Sequence, residues 1–214
     1  MTLQVLFEDN HLIAVVKQSG QTVQPEPGKP TSLEEEVKAY IKEKYNKPGD
    51  VFLGVIHRLD MPVSGIVLFA RTSKALTRMN DLFKNRKIEK IYEAKVEGKP
   101  LHQTDTLTHF LVRDEKKNIT RVHIKPVPNA EKAMLSFDVK YQNNNNSILR
   151  LKLLTGRKHQ IRAQLGAINC PIVGDVKYGA SKANDDTSIA LTAVELSFEH
   201  PVTKVPVKII YQAK

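Results

Sequence analysis

The feature that most constrains the fold of this chain is a long series of strand-like segments that begins at Ile88. Short apolar or alternating stretches rich in β-branched residues predict strands, because successive side chains point to alternate faces of a sheet. Many strands with about three helices predict an α+β fold, in which helices pack against a mixed, mostly antiparallel sheet. The predicted strands, two of them near the start of the chain, are Val5–Glu8, Leu12–Lys17, Lys90–Glu97, Thr104–Val112, Arg121–Pro126, Ala133–Tyr141, Ser147–Leu154, Ile189–Phe198 and Val205–Tyr211.

Two predicted helices carry capping signals at their first residues. Ser32–Glu35 has the pattern of a capping box, in which a serine and a glutamate bind each other's backbone N–H groups, and it predicts a helix to about Tyr45. Thr72 or Ser73 is predicted to cap a second helix that ends at about Lys84. Both helices fall in the first part of the chain, before the series of strands.

A third helix is predicted within the basic segment Leu154–Gly166. Thr155 is the predicted N-cap, and Ile161, Leu165 and Ile168 follow at the spacing of one buried helix face.

The polar residues of this segment are Arg157, Lys158, His159, Gln160 and Arg162. Cations near a helix N-terminus do not favour stability, but they are well placed for a phosphate or a catalytic carboxylate. A solvated charged face is the alternative interpretation.

A carboxylate that could be the catalytic partner of these cations, Asp60, occurs in the segment His57–Asp60. An apolar stretch, Val51–Ile56, precedes it and another, Ile66–Ala70, follows, so the pattern predicts a strand, a tight polar turn and a second strand. Asp60 before a proline is often only a turn former. A carboxylate at a sheet edge, held by an arginine from elsewhere in the chain, is also a common arrangement for a nucleophile or general base.

Composition limits the classes of function. At 214 residues and 41% hydrophobic content the chain is expected to form a single domain, residues 1–214, with one sizeable core. The 33 Lys and Arg against 23 Asp and Glu give a net charge of +10, which favours a polyanionic partner, although a merely basic surface remains the alternative.

The single cysteine, Cys170, excludes an intramolecular disulfide and a cysteine-rich metal site. No signal peptide or membrane span is recognisable, so a cytoplasmic location is expected.

Four motifs in order resemble the RluA-type family of RNA pseudouridine synthases, from about Val5 to about Pro201. A single such motif would be weak, whereas four in the same order are far more specific. They are His57-Arg58-Leu59-Asp60 with Ser64-Gly65, then the segments 90–98, 154–162 and 171–179.

The resemblance implies a curved sheet with a central cleft and no cofactor or metal. It also implies that the small N-terminal RNA-binding domain of the S4 type, carried by many members, is missing here, because the catalytic pattern starts at Val5. The expected partner is structured RNA, rRNA or tRNA, with no membrane involved, and the enzyme is expected to act as a monomer. The sequence does not tell which RNA or which uridine is modified.

The resemblance also assigns roles to individual residues. Asp60 corresponds to the family's catalytic aspartate and Arg162 to the arginine paired with it. Tyr92 corresponds to the catalytic tyrosine, which stacks on the flipped uracil and can shuttle a proton. Asp175 is expected only to organise its own turn. The expected RNA contacts or their supports are His57, Arg58, Arg157, Lys158, His159 and Lys177.

Two other functions remain open from the sequence. A catalytically silent RNA-binding module would keep the fold, but it would have no need of Asp60, Tyr92 and Arg162 together. A base-excising N-glycosylase would share the flipped base and the carboxylate, and would release free uracil.

Overall fold

The computed structural model describes residues 3–212, which divide into two compact units. Unit 1 comprises residues 3–88 and 193–212, and unit 2 comprises residues 89–192. Every strand pair with a defined register in either unit is antiparallel, and three α-helices accompany the strands within this range. The α+β prediction is therefore confirmed, while the single-domain prediction stays a prediction.

Unit 1 is built on antiparallel strands in the order β1-β2-β4-β10, with β3 beside β4 and β11 beside β10. Its apolar core lies where β2, β4 and α2 contribute Leu12, Leu68 and Met79, which all are fully buried. The bounds are β1 Val5–Glu8, β2 Leu12–Lys17, α1 Leu33–Lys44, β3 Gly54–Val55, β4 Ser64–Ala70, α2 Ser73–Lys84, β10 Leu191–Glu199 (in this unit from Ala193) and β11 Pro206–Ile210.

The capping predictions for the first two helices are confirmed. The Glu35 backbone N–H donates to Ser32 Oγ at 3.3 Å, and the Ser32 backbone N–H donates to Glu35 Oε2 at 2.8 Å, so the capping box is complete. Thr72 caps α2 by accepting the Ala75 backbone N–H. Both caps satisfy backbone donors that the first helical turn leaves without partners.

Unit 2 contains a second antiparallel set of strands, in the order β5-β9-β8-β6-β7. Helix α3 packs on β6, β7 and a short 3₁₀ helix, Val176–Tyr178. The bounds are β5 Glu89–Glu97, β6 Thr104–Asp114, β7 Ile119–His123, β8 Glu131–Gln142, β9 Asn146–Leu153 and α3 Gln160–Ala167.

Three details of the sequence prediction are wrong. The strand predicted over Val51–Ile56 is reduced to β3, and β7 begins two residues before Arg121. The third helix begins at Gln160 rather than after Thr155, and its N-cap is His159 in a left-handed conformation. Thr155 instead remains with β8, because its Oγ1 accepts the Met134 backbone N–H at 2.9 Å.

Candidate active site

The segment that contains Asp60 lies in unit 1 as a loop between β3 and β4. The Val63 backbone N–H donates to the Asp60 carbonyl at 3.0 Å, so the predicted tight turn is present. Leu59 is buried and anchors the loop, Asp60 is half-buried, and Arg58 is exposed. The loop therefore exposes Arg58 to solvent while its apolar residue is buried in the unit.

His57 attaches this loop to the neighbouring strand. The Leu68 backbone N–H in β4 donates to His57 Nε2 at 3.0 Å, so this ring nitrogen acts as an acceptor. The ring stacks on Phe83 of α2 with 5.3 Å between the ring centroids. The side chain thus continues the pairing of β3 with β4 beyond Val55, which gives His57 a positioning contact inside the unit.

Lys17 is the buried cation beside Asp60, and sequence reasoning missed it. Its side chain is fully buried at the end of β2, and Nζ donates to the carbonyl oxygens of Gln18, Gln21 and Met61 at 2.9, 2.8 and 3.0 Å. Burial lowers the pKa of Lys17 to about 8, and the negative charge of Asp60 opposes that shift. Lys17 therefore places positive charge near Asp60 and binds the backbone of Met61, the residue after Asp60.

Gly65 explains why the turn ends in the pair Ser64-Gly65. Its φ is +115°, and a Cβ atom built there would lie 2.3 Å from the Ala193 carbonyl oxygen in the same unit. Backbone passes too close to this position for any side chain, and the torsion itself favours glycine. The glycine allows β4 to start directly after the Asp60 turn.

Arg162, also a predicted catalytic residue, lies in the first turn of α3 in unit 2. Its Nε and Nη2 donate to Asp175 Oδ2 and Oδ1 at 2.7 and 2.8 Å, which is a bidentate ion pair. Arg162 is 6% exposed and Asp175 only 2% exposed. A buried pair of this geometry fixes the guanidinium plane, so Asp175 does more than organise its own turn.

Tyr178 completes the surroundings of Arg162. The guanidinium carbon lies 5.1 Å from the centre of the Tyr178 ring, a cation–π contact. The Tyr178 hydroxyl accepts the Thr120 backbone N–H at 2.8 Å and lies 2.7 Å from His159 Nδ1. Burial raises the pKa of Tyr178, which favours the protonated hydroxyl. We name Arg162, Asp175, Tyr178 and His159 the arginine centre.

His159 is thus a buried member of this network, at 8% exposure, rather than an exposed basic group. Its φ of +55° is a left-handed conformation that few residues other than glycine adopt. The ring is held by its contact with Tyr178, and its predicted role as an RNA contact or a support stays a prediction.

Tyr92 lies on β5 and is 8% exposed, on the face it shares with Ala94 and Val96. Lys90 occupies the same face two residues earlier, and burial lowers the pKa of its side chain. A Cβ atom at Gly156 would lie 3.3 Å from Lys90 Nζ, so the basic segment before α3 approaches this end of β5. Tyr92, Lys90 and Gly156 are therefore neighbours within unit 2.

The remaining predicted RNA contacts are more exposed. Arg58 in unit 1 is exposed, and Lys158 and Lys177 in unit 2 are exposed as well. Arg157 is half-buried and forms an ion pair with Glu131 at 2.5 Å. These four side chains present positive charge to solvent, as contacts to phosphate require.

Two broader expectations concern metals and membranes. Among residues 3–212, no group of three or more His, Cys, Asp or Glu side chains is arranged to hold a metal ion. None of the helices in the same range is long and apolar enough to cross a membrane.

Sequence comparisons identify relatives of known type. The profile of the family described as RNA pseudouridylate synthase matches residues 11–167. The dual-specificity RNA pseudouridine synthase RluA of Vibrio vulnificus is 31% identical over 203 residues, which are 92% of this chain and 78% of that protein. The uncharacterized RNA pseudouridine synthase YlyB of Bacillus subtilis is 30% identical over 204 residues, covering 95% of this chain. The chain spans 66% of the length of YlyB.

Solved structures share the fold. Human RNA pseudouridylate synthase domain containing 4 superposes with a TM-score of 0.82 at 20% identity, covering 99% of this chain and 88% of that chain. Human RNA pseudouridylate synthase domain containing 1 gives a TM-score of 0.78 at 22% identity, covering 99% and 84%.

Proposed function

Because the chain belongs to the RNA pseudouridylate synthase family, we propose that it isomerises specific uridines of structured RNA to pseudouridine. The observation that carries this proposal is the state of Asp60, whose side chain is half-buried on a loop held by His57, Lys17 and a tight turn. A fixed loop with a reachable carboxylate is what a reaction on a bound nucleotide requires.

The proposed reaction acts on a nucleotide that has left the base stack, because the glycosidic bond is shielded inside folded RNA. The Asp60 carboxylate attacks C1′ of the ribose, the bond from C1′ to N1 breaks, and the uracil leaves with the electron pair. After the base has turned, C5 forms the new bond to C1′ and Asp60 departs. C5 loses its proton and N1 gains one, so no net oxidation occurs and we propose no cofactor or metal.

Two charged side chains are proposed to support Asp60. An aspartate nucleophile reacts as the carboxylate, and a nearby cation orients that carboxylate and stabilises its charge. Lys17 supplies positive charge in unit 1. The family resemblance pairs Arg162 with Asp60, and the rigidity of the arginine centre supports a positioning role for this arginine.

Tyr92 is proposed to stack on the uracil and to move a proton. Its aromatic face offers a flat apolar surface to a base, and its phenol is a donor and acceptor. The proposed RNA contacts are Arg58, Arg157, Lys158 and Lys177, with His57 and His159 as supports. We expect rRNA or tRNA as the substrate and a monomeric, single-domain, cytoplasmic enzyme.

Asp60→Asn tests the proposed function. The substitution keeps the shape of the side chain but removes its charge and its nucleophilic oxygen, so RNA affinity should stay within a few-fold while pseudouridine formation becomes undetectable. Asp81→Asn is the matched control, because Asp81 is an exposed aspartate of the same unit, and it should keep full activity. The substrate is total RNA from a strain that lacks the gene, scored by carbodiimide-adduct stops and mass spectrometry.

Each result of this assay has a defined meaning. Pseudouridine produced by the Asn variant at an appreciable fraction of the parent rate would show that Asp60 is not the nucleophile. Free uracil released by the parent would indicate an N-glycosylase. RNA binding without any change of the uridines would indicate a silent binding module.

A further inference from the structure

A cavity of about 430 Å³ lies in unit 2, and its lining does not include Tyr92 or Arg162. It is formed by the β6–β7 hairpin, the start of β8 and the segment before α3. Its polar lining consists of Arg113, Glu115, Thr120, Glu131, Arg157 and Lys158. Three cations and two carboxylates leave an excess of one positive charge, which suits a ligand with a single negative charge.

Two arginines in this cavity have N–H groups without acceptors. Arg113 donates through Nη2 to Asn118 Oδ1, but its Nη1 is buried and has no hydrogen-bond partner among residues 3–212. The Nε of Arg157 is likewise buried without a partner in that range. A buried donor with no acceptor costs about 1–3 kcal/mol, and more when the group is charged. An anion bound between the two side chains would provide the acceptors after small side-chain rotations.

The carboxylate that now faces Arg157 is easily displaced. Glu131 Oε1 lies 2.5 Å from Arg157 Nη1, and the two side chains are 59% and 34% exposed. Ion pairs this exposed contribute between zero and about 1 kcal/mol. An arginine binds a phosphate with two parallel hydrogen bonds, so a phosphate group is a stronger partner for Arg157 than Glu131 is.

The cavity is also connected to the arginine centre. Thr120 Oγ1 donates to the Lys158 carbonyl at 2.9 Å, and its backbone N–H donates to the Tyr178 hydroxyl. An anion held by Arg113 and Arg157 would therefore lie at a fixed distance from Tyr178 and Arg162. The turn between β6 and β7 adds exposed positive charge through Lys116 and Lys117. The 3₁₀ helix adds Lys177, which contacts the Asn118 carbonyl.

We propose that this cavity, the Arg113–Arg157 pocket, binds a backbone phosphodiester of the RNA substrate. In the absence of RNA, Glu131 forms the ion pair with Arg157, and the phosphodiester displaces Glu131 when RNA binds. The inference rests on the proposed function and adds Arg113, Glu131 and a defined phosphate position to it. A phosphodiester carries one negative charge and two acceptor oxygens, which match the charge excess and the two unsatisfied arginine groups.

Salt-dependent RNA binding tests the pocket. Unfractionated tRNA is titrated with the full chain and its variants over a range of salt concentrations. Arg113→Gln should weaken binding about tenfold and reduce the slope of log affinity against log salt by about 0.7–0.9, the share of one phosphate contact. Glu131→Gln should strengthen binding several-fold, because the competing carboxylate has lost its charge.

The chain offers a matched control pair. Lys152 and Glu89 form an exposed ion pair at 2.9 Å elsewhere in unit 2. Lys152→Gln and Glu89→Gln change the net charge by the same amounts and should shift affinity less than twofold. Equal effects at the two ion pairs would overturn the proposal, since they would show only a response to net charge.

Three further readouts keep the result interpretable. Thermal melting checks that Arg113→Gln is folded, and a gain of affinity in Glu131→Gln supports the pocket even where the arginine variant is unstable. Arg113-dependent binding of inorganic phosphate at constant ionic strength, with unchanged tRNA binding, would contradict an RNA site. At saturating RNA, the control variant Lys152→Gln should form pseudouridine at the parent rate. Failure of all variants and the parent to form it would refute the proposed function while the binding slopes still report on the pocket.

Discussion

The Asp60 loop of unit 1 and the arginine centre of unit 2 hold their key residues in different ways. The Asp60 loop is fixed through backbone groups, because Lys17 binds the Met61 carbonyl oxygen and His57 accepts a strand N–H. The arginine centre is fixed through side chains, with Arg162 bound by a carboxylate and an aromatic ring. The Asp60 side chain is half-buried, whereas the Arg162 side chain is buried.

Under the proposed function, this difference suits two separate tasks. If Asp60 is the nucleophile, as we propose, substrate must be able to reach it, and a half-buried side chain on a fixed loop meets that requirement. A positioning cation performs best when its orientation cannot change, and burial with a bidentate partner achieves this at the risk of a large loss when either partner is removed. Substitutions in the arginine centre should therefore destabilise the protein more than substitutions in the Asp60 loop.

Asp175→Asn should have the largest effect. It leaves the buried Arg162 guanidinium without its bidentate anion, and breaking a buried ion pair costs about 3–5 kcal/mol of unfolding free energy. Urea unfolding measures the loss, and the exposed Asp185→Asn in the same unit should stay within about 0.5 kcal/mol of the parent. A loss below about 1 kcal/mol for Asp175→Asn would remove the contrast between the two regions.

Lys17→Met should change the pH dependence of stability. The pKa of Lys17 is about 8 in the folded protein against 10.5 as its ordinary value, so above pH 8 the unfolded chain binds more protons and stability from this group rises with pH. Between about pH 7.5 and about pH 9.5 the parent should gain about 2 kcal/mol relative to Lys17→Met.

Urea unfolding of both proteins at each pH measures this difference. A constant difference across the range would show that Lys17 keeps an ordinary pKa.

His57→Ala and Arg58→Ala should separate two adjacent residues, and Arg58→Ala should have the smallest effect on stability. His57→Ala leaves the Leu68 N–H without its acceptor and removes the stacking on Phe83, so a loss of about 1–3 kcal/mol is expected. Arg58→Ala should lie within about 0.5 kcal/mol of the parent, because the side chain is exposed, yet it should weaken RNA binding. Thermal melting and tRNA titration of the two variants report both quantities, and equal stabilities would contradict the positioning role of His57.

Local signals in the sequence predicted much of the fold. The bounds of Leu12–Lys17 and the capping box at Ser32 were predicted correctly, since alternation and capping depend on residues a few positions apart. The helix start near Thr155 was wrong for a related reason. Thr155 has the side chain of an N-cap, but its hydroxyl binds Met134, 21 residues earlier, and Gln160 Oε1 accepts the Arg157 N–H in its place.

The sequence did not predict the partners that the structure gives to the motif residues. Asp175 lies 13 residues after Arg162, and Thr120 lies 58 residues before Tyr178, so no short-range pattern joins them. Lys17 at the end of an apolar strand looks like an ordinary exposed terminus, and only the fold shows that it turns inward toward carbonyl oxygens. Contacts made by tertiary structure alone are the part that sequence reasoning could not supply.

The division of unit 1 into two chain segments affects how the protein forms during synthesis. Its core needs Leu196 and Phe198 from β10 beside Leu12 and Ile66, but the ribosome makes all of unit 2 between them. At typical rates of elongation that interval lasts on the order of ten seconds, during which β2 and β4 have emerged and β10 has not. Unit 2 can complete its folding first, whereas the N-terminal strands must wait with apolar surface uncovered. The nascent chain is therefore expected to be a client of ribosome-associated chaperones until its last strands are released.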